Sequence, residues 1–255
     1  MKNDHITKLD KCTSDFFIAP IVITAKKDGS IKLAMDAKPI NSQIHKNKYQ
    51  MPIVDELLDC VSQIIAKAGE NDEVWFTSLD LNYAFSQLPL SEQTSKHCNF
   101  SVVGGKATGT YRFKTGFYGL TDMPTEFQKA MDATLLNLLN TFCFLDDVLI
   151  VSVGSITDHN KLVEEAMKRI EAEGFSLKAK KCEFSVHEID WLGYTISKSG
   201  VKPMHSKTED ILNLKPPNTL KKLRSFIGSI NSVSKFLPKS QELVAVFKPR
   251  PKITN

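Results

Sequence analysis

Three aspartates carry the chemistry that this sequence suggests. Asp146-Asp147 lies between two strongly apolar runs, Phe142-Cys143-Phe144-Leu145 and Val148-Leu149-Ile150-Val151. Two adjacent acids at a tight hairpin tip repel each other unless a cation neutralises them. A hard divalent ion with oxygen ligands is the natural partner, and Mg²⁺ typically takes one or two carboxylates together with substrate phosphates. A third acid, Asp80, ends another apolar run, Phe76-Thr77-Ser78-Leu79. If the two strands are neighbours, Asp80 and Asp146 converge. Two-metal phosphoryl transfer needs that arrangement: one ion activates an attacking hydroxyl and the other steadies the leaving pyrophosphate. An Asp-Asp dipeptide is also ordinary turn chemistry, and these residues alone leave both readings open.

The elements that must hold the acids are read from periodicity. Residues 18–24 and 31–36 are β-rich runs flanking Lys26-Lys27-Asp28-Gly29, a hairpin signal. Val54, Leu57, Leu58, Val61, Ile64 and Ile65 recur at helical spacing. Strands are expected over 74–81, 98–103 and 110–113. Asp122 and Pro124 mark the start of a helix running through Phe127, Met131, Leu135 and Leu138. Strands over 142–145 and 148–152 meet at the Asp pair. Asp158 opens a further helix carrying Leu162, Met167 and Ile170, stopped by Gly174. Short strands follow near 183–186 and 189–192. Beyond Gly200 the chain turns helical: Ser206-Lys207-Thr208-Glu209 has the capping-box pattern, and a last helix carries Leu223, Phe226, Ile227 and Ile230 before Pro238. Helices inserted between antiparallel strands make the fold class α+β.

Composition bounds the rest. The 255 residues are 42% hydrophobic and 24% charged, a globular and not a disordered profile. No apolar h-region follows the N-terminus, and the longest apolar stretch, 16–25, is interrupted by Pro20 and too short to span a bilayer. Five scattered cysteines with no C-x-x-C argue against a disulfide framework or zinc ribbon and for a reducing compartment. The net charge of +4 conceals a division. From Gly200 onward 11 Lys and Arg face 3 acids, a net of +8, while the first 199 residues carry 22 bases and 26 acids, a net of −4. Lys26, Lys27, Lys32, Lys38, Lys46 and Lys48 form an earlier basic cluster. Such patches attract polyanions through counterion release or are simply solvated surface.

Several motifs in order resemble those of a reverse transcriptase, with the nearest likeness to the Gypsy-type LTR retrotransposon group. They are Ala25-Lys26-Lys27-Asp28-Gly29, Asp36-Ala37-Lys38-Pro39-Ile40-Asn41, Ser78-Leu79-Asp80-Leu81-Asn82-Tyr83-Ala84-Phe85-Ser86-Gln87, and Phe117-Tyr118-Gly119-Leu120-Thr121-Asp122-Met123-Pro124. Phe144-Leu145-Asp146-Asp147, Glu173-Gly174-Phe175 with Lys181-Cys182-Glu183-Phe184, Trp191-Leu192-Gly193-Tyr194 and Leu223-Arg224-Ser225-Phe226-Ile227-Gly228 complete the set.

The resemblance implies an RNA-directed DNA polymerase, a nucleotidyltransferase that extends a primer with dNTPs on RNA or DNA. It implies a right-hand fold, with fingers and palm over 1–199, an antiparallel palm sheet backed by helices, and a helical basic thumb over 200–255. Asp80, Asp146 and Asp147 would be catalytic and would hold two Mg²⁺ ions, or Mn²⁺ in their place, with the Leu81 carbonyl completing the shell. Phe85 would stack under the incoming sugar and exclude a 2′-hydroxyl. Tyr118 would touch the nucleotide, and Lys26, Lys27 and Lys32 would bind its triphosphate. Lys181 would protonate the leaving pyrophosphate. Trp191, Leu192, Gly193 and Tyr194 would form the primer grip.

Some positions depart from the family pattern. Phe144 replaces the usual Tyr of the Y-x-D-D box, Lys32 and Lys38 stand where Arg is usual, and Asp122-Met123-Pro124 replaces Asn-Ala-Pro. No acid follows Glu242 and there is no C-x-x-C or D-[ST]-G, so no RNase H, protease or integrase is expected in this chain, which reads as a fragment of a polyprotein or a cut transposon copy. The expected partners are template, primer and dNTPs, with no membrane. The expected location is cytoplasmic or nuclear, or a virus-like particle, and not secreted. A non-catalytic nucleic-acid-binding remnant is the alternative from another class, and an unrelated carboxylate–Mg²⁺ hydrolase is a third.

Overall fold

The computed structural model describes residues 5–9, 17–25, 29, 31–44 and 48–237. Lys26, Lys27, Asp28, Cys12 and Pro238 lie outside the described residues. The elements run β1 (Ile6–Leu9), β2 (Ile21–Ala25), β3 (Ile31–Met35), α1 (Lys38–Asn41), α2 (Val54–Ile65), β4 (Val74–Asp80), α3 (Glu92–His97), β5 (Asn99–Val102) and β6 (Gly109–Phe113). They continue α4 (Met123–Thr134), β7 (Thr141–Phe144), β8 (Asp147–Val153), α5 (Ile156–Ala172), β9 (Glu183–Val186), β10 (Glu188–Trp191), β11 (Tyr194–Ser197), β12 (Gly200–Pro203), α6 (His205–Leu212) and α7 (Leu220–Asn231).

The central sheet has the order β7-β8-β4-β9, with β4 antiparallel to both neighbours. Its middle strands are covered on both faces, which explains the unbroken apolar run Val148–Val151 within β8. Period-2 alternation then divides the side chains. Leu79, Val148 and Ile150 pack with Phe127 and Met131 of α4 and with Val163, Ala166 and Ile170 of α5. Phe76, Leu149 and Val151 pack with Leu58, Val61 and Ile65 of α2 and with Ile189, Trp191 and Ile196 of the β10-β11-β12 sheet. Each such large side chain contributes roughly 1.5–3 kcal/mol on burial. A third core joins β5 and β6 to Ala19, Met35, Phe117, Leu120 and Met123. The β2–β3 hairpin pairs from Ile21↔Met35 to Ala25↔Ile31, as the Asp-Gly signal predicts.

One buried polar group sits behind the sheet. His159 on α5 hydrogen-bonds the Thr77 hydroxyl through Nε2 and the Ser152 hydroxyl through Nδ1, both at 2.8 Å. It thereby bridges the two central strands, and burial lowers its pKa, so the neutral ring is favoured.

Local expectations fail in four places. The stretch expected to turn helical beyond Gly200 opens with strand β12, whose backbone pairs antiparallel with β11, so helix begins only at His205. The helix after Pro124 ends at Thr134, so Leu135 and Leu138 lie in a turn that includes Asn137 at φ +61. Asp158 is not the cap of α5: the Ser155 hydroxyl accepts its N–H, and the helix begins at Ile156. The capping box at Ser206 does not form, because the helix already begins at His205. Met204 stands at the cap in extended backbone, and its N–H reaches the Gly193 carbonyl at 3.3 Å. Tertiary pairing places that helix start two residues earlier than the local pattern does.

Candidate active site

The central strand pair positions the acids. Asp80 at the end of β4 stands opposite Asp147 at the start of β8 in the strand register. The partner is thus Asp147 and not Asp146, which lies one residue earlier in the turn. Asp146 is still held close, because its carbonyl accepts the Leu81 N–H at 3.1 Å. By alternation Asp80 and Asp147 share the face of Phe76 and Leu149, the face covered by β10.

The turn between β7 and β8 is two residues long, Leu145-Asp146, with Phe144 and Asp147 paired. Leu145 has φ +55, a left-handed conformation that disfavours a branched side chain by roughly 1–2 kcal/mol. Gln128 of α4 holds it there. Its Oε1 accepts the Leu145 N–H at 2.7 Å, while its Nε2 donates to the Cys143 carbonyl at 3.1 Å and to Asp132 Oδ1 at 2.8 Å. The Tyr49 hydroxyl donates to the other Asp132 oxygen, and this bond pushes its pKa up to about 12. Gln128 is fully buried. It went unnoticed in the sequence, although a polar residue beside Phe127 on the apolar stripe of a helix was a signal for it. We predict that Gln128→Leu lowers the catalytic rate by roughly 10²-fold through displaced carboxylates, with a loss of stability of about 1–3 kcal/mol from the unpaired Leu145 N–H. Steady-state rates and urea denaturation of the same preparation check both.

Lys181 approaches from the other side. The Lys178 N–H bonds to the Asp80 carbonyl at 2.8 Å, and Lys181 Nζ donates to Asp80 Oδ2 at 2.7 Å. Asp80 is 15% exposed and Lys181 56%. Burial first, then Asp146 and Asp80, push the Asp147 carboxyl up to about 6, against a lowering influence from Lys181. Among the described residues no group of three acidic, His or Cys side chains is gathered as a ready metal cluster. A cation is nevertheless favoured here: an ammonium sits on Asp80, and burial with the adjacent Asp146 and Asp80 carboxylates makes Asp147 resist ionisation. The donor set, carboxylates with a backbone carbonyl nearby, is hard oxygen, which suits Mg²⁺ or Mn²⁺.

A cleft of about 120 Å³ opens beside these groups, lined by Ser78, Asp80, Asp147, Lys181, Glu183, Asp190, Trp191 and Leu192 among others. Leu192-Gly193 forms the two-residue turn of the β10–β11 hairpin, with φ +49 and +83. Both central residues at positive φ define a type I′ turn, which glycine accepts without strain. Trp191 is 3% exposed, and its indole N–H has no hydrogen-bond partner among the described residues. Tyr194 packs on Phe236 at 5.8 Å, and Lys207 and Lys235 stand 4.8 and 4.7 Å from its ring centre. Lys235 also pairs with Asp55 of α2 at 2.6 Å.

Phe85 follows β4 in a short 3₁₀ turn, Ala84–Gln87. Its ring lies 5.2 Å from that of Tyr118 and 6.0 Å from that of Phe127. Burial, and then Asp146, raise the Tyr118 pKa. Lys32 belongs to β3 by its backbone, opposite Thr24. The structure therefore brings together Asp80, Leu81, Asp146, Asp147, Lys181 and the Trp191–Leu192 edge. Phe85 and Tyr118 form a neighbouring aromatic pair.

Comparison with known proteins adds the following. Residues 24–196 match the family model described as reverse transcriptase (RNA-dependent DNA polymerase). The chain is 28% identical over 226 residues to the Transposon Tf2-3 and Tf2-4 polyproteins of Schizosaccharomyces pombe, which covers 88% of this chain and 16% of theirs. The chain thus spans about one sixth of the length of these relatives. Among solved structures it resembles a foamy viral protease-reverse transcriptase in complex with double-stranded DNA, with TM-score 0.83 and 20% identity over 96% of this chain and 40% of that one. It also resembles the same viral protein in complex with an RNA/DNA hybrid, with TM-score 0.72 and 18% identity over 96% and 32%.

Proposed function

Since this chain belongs to the reverse transcriptase (RNA-dependent DNA polymerase) family, we propose that it extends a primer with dNTPs by nucleotidyl transfer on an RNA or DNA template. The observation that carries this is the pairing of Asp80 with Asp147 at the mouth of a cleft shared with Lys181 and the Trp191-Leu192 turn. The family generally uses divalent metal ions. Here Asp80, Asp146, Asp147 and the Leu81 carbonyl would hold two Mg²⁺ ions, or Mn²⁺. Such ions, when bound, lower the pKa of the attacking hydroxyl and offset charge on the leaving pyrophosphate.

The protein groups do the rest. Lys181 is within reach of the acids and would give its proton to the pyrophosphate, help of a kind worth typically ~10²–10⁴-fold. It must first leave Asp80, so nucleotide binding and release of that ion pair are coupled. Phe85 and Tyr118 would receive the sugar, with Lys26, Lys27 and Lys32 on the triphosphate. Trp191, Leu192, Gly193 and Tyr194 would seat the primer end across the cleft. Residues 1–199 would act as fingers and palm and 200–255 as thumb. Lys221, Lys222 and Arg224, exposed on α7, suit phosphate contacts that position a duplex without reading its sequence. No helix among the described residues is long and apolar enough to cross a membrane.

Primer extension by the purified chain tests this, with an RNA template, a DNA primer, dNTPs and Mg²⁺ or Mn²⁺, and Asp146→Asn as control. Extension that disappears in the control is expected. Duplex binding with steep salt dependence but no extension at any metal concentration would make the chain a nucleic-acid binder instead.

A further inference from the structure

The nucleotide-facing loop is fastened to the β3 side of the molecule by one side-chain amide. Asn41 ends α1, six residues past the end of β3. Its Nδ2 donates to the Gly119 carbonyl at 2.8 Å, and its Oδ1 accepts the Thr121 N–H at 2.9 Å. Both edges of the amide are thus spent on a single loop about eighty residues away. The same loop meets β3 directly. The Met35 N–H bonds to the Tyr118 carbonyl at 3.0 Å, and Ala34 bridges Tyr118 in parallel register. The approach is so close that a Cβ on Gly119, which has φ +122, would come within 2.1 Å of the Met35 carbonyl oxygen. Tyr118 in turn packs on Phe85. Strand β3, Tyr118 and Phe85 thus stand in one line of contact, and Asn41 ties the loop's far side from Gly119 to Thr121.

We propose that Asn41 is a positioning residue for the incoming nucleotide, setting the height of Tyr118 and Phe85 relative to β3. The inference rests on the polymerase reading above. Phe117 and Leu120, 2% and 7% exposed, anchor the loop in the core on either side of Tyr118 and Gly119. Losing the amide therefore shifts the loop and does not unfold it. The shift falls on the residues facing the nucleotide, while Asp80 and Asp147 are held independently by the β4–β8 register and Gln128.

The test uses Asn41→Ala, which removes both bonds, and Asn41→Asp, which keeps an oxygen for Thr121 but opposes the Gly119 carbonyl with another oxygen. Single-nucleotide extension is expected to show KM for dNTP raised about tenfold or more, with kcat within roughly threefold and duplex affinity unchanged. A purely structural residue would lower Tm and the active fraction and leave KM where it was, and that result overturns the proposal. A second measurement needs no chemistry: retention of the next correct dNTP by the protein on a dideoxy-terminated primer. Weaker nucleotide retention in both variants supports the role, and equal retention removes it. If the wild-type chain retains no dNTP in that assay, the polymerase reading fails and the role of Asn41 fails with it.

Discussion

Asp147→Asn is expected to abolish primer extension, by at least ~10³-fold, and at the same time to stabilise the metal-free protein. Both effects come from one geometry. Asp147 is held beside Asp80 and Asp146 in a partly dry site, and burial with its acidic neighbours pushes its carboxyl up to about 6. Its folded pKa is therefore above the unfolded value of 3.8. Between those two values the native state binds more protons than the unfolded chain, so stability falls as pH rises through that window and stays low above it. Asparagine has no such titration. The difference in Tm between Asp147→Asn and wild type should be near zero at pH 3.8, grow up to about pH 6, and then level off. After allowance for solvent screening at this partly exposed site, the plateau corresponds to about 1 kcal/mol, or roughly 2–4 °C in a chain of this size. Millimolar Mg²⁺ or Mn²⁺ should close the gap by stabilising only the wild type. A variant that loses activity and stability together, at every pH, would sink this account of the carboxylate cluster.

Replacing Phe85 should change which nucleotide is accepted more than how fast it is used. The ring lies against Tyr118 and Phe127 at the exit of the strand that carries Asp80. In the proposed pose it fills the space of a 2′-hydroxyl. Phe85→Val and Phe85→Ala should lower the preference for dNTPs over ribonucleotides, measured as the ratio of kcat/KM values, by roughly 10²-fold. Valine is the fairer probe, because alanine also leaves a void beside Phe127 and destabilises the fold. Dideoxy and deoxy substrates serve as an internal control, since neither carries the 2′-hydroxyl. A discrimination ratio that stays constant while Tm falls would reduce Phe85 to a packing residue.

The two effects differ in their dependence on neighbours. Asp147 acts through charge, which reaches across the cleft to Lys181 and falls off slowly in a poorly solvated site. Phe85 acts through contact, and a displacement of about 1 Å is enough to weaken it. Contact chemistry therefore needs the stiffer support, and the role proposed for Asn41, which bonds the Gly119 carbonyl and the Thr121 N–H beside Tyr118, is to provide it. The carboxylates instead depend on a strand register and on the amide of Gln128 beneath a strained turn.

Much of this was legible in the residues. Strand β9 and helix α2 coincide with the runs expected from periodicity, and the α+β class followed from their order, because apolar spacing is set by one chain's own geometry. The acids at the ends of apolar strands were legible for the same reason. The misread helix starts at Ser206 and Asp158 show the opposite case. Capping chemistry offers several nearby solutions of similar energy, and the pairing of Met204 with Gly193 or the hydroxyl of Ser155 selects among them. Asp147 as the register partner of Asp80, Lys181 on the Asp80 carboxylate, Gln128 under Leu145 and Asn41 across the Gly119–Thr121 backbone all join residues from 17 to 101 positions apart. What the amino-acid sequence determined by itself was which chemistry was present and on which elements. The tertiary structure alone decided which of those groups meet, because hydrogen bonds and ion pairs act over a few ångströms and only the packed sheet brings distant chain segments that close.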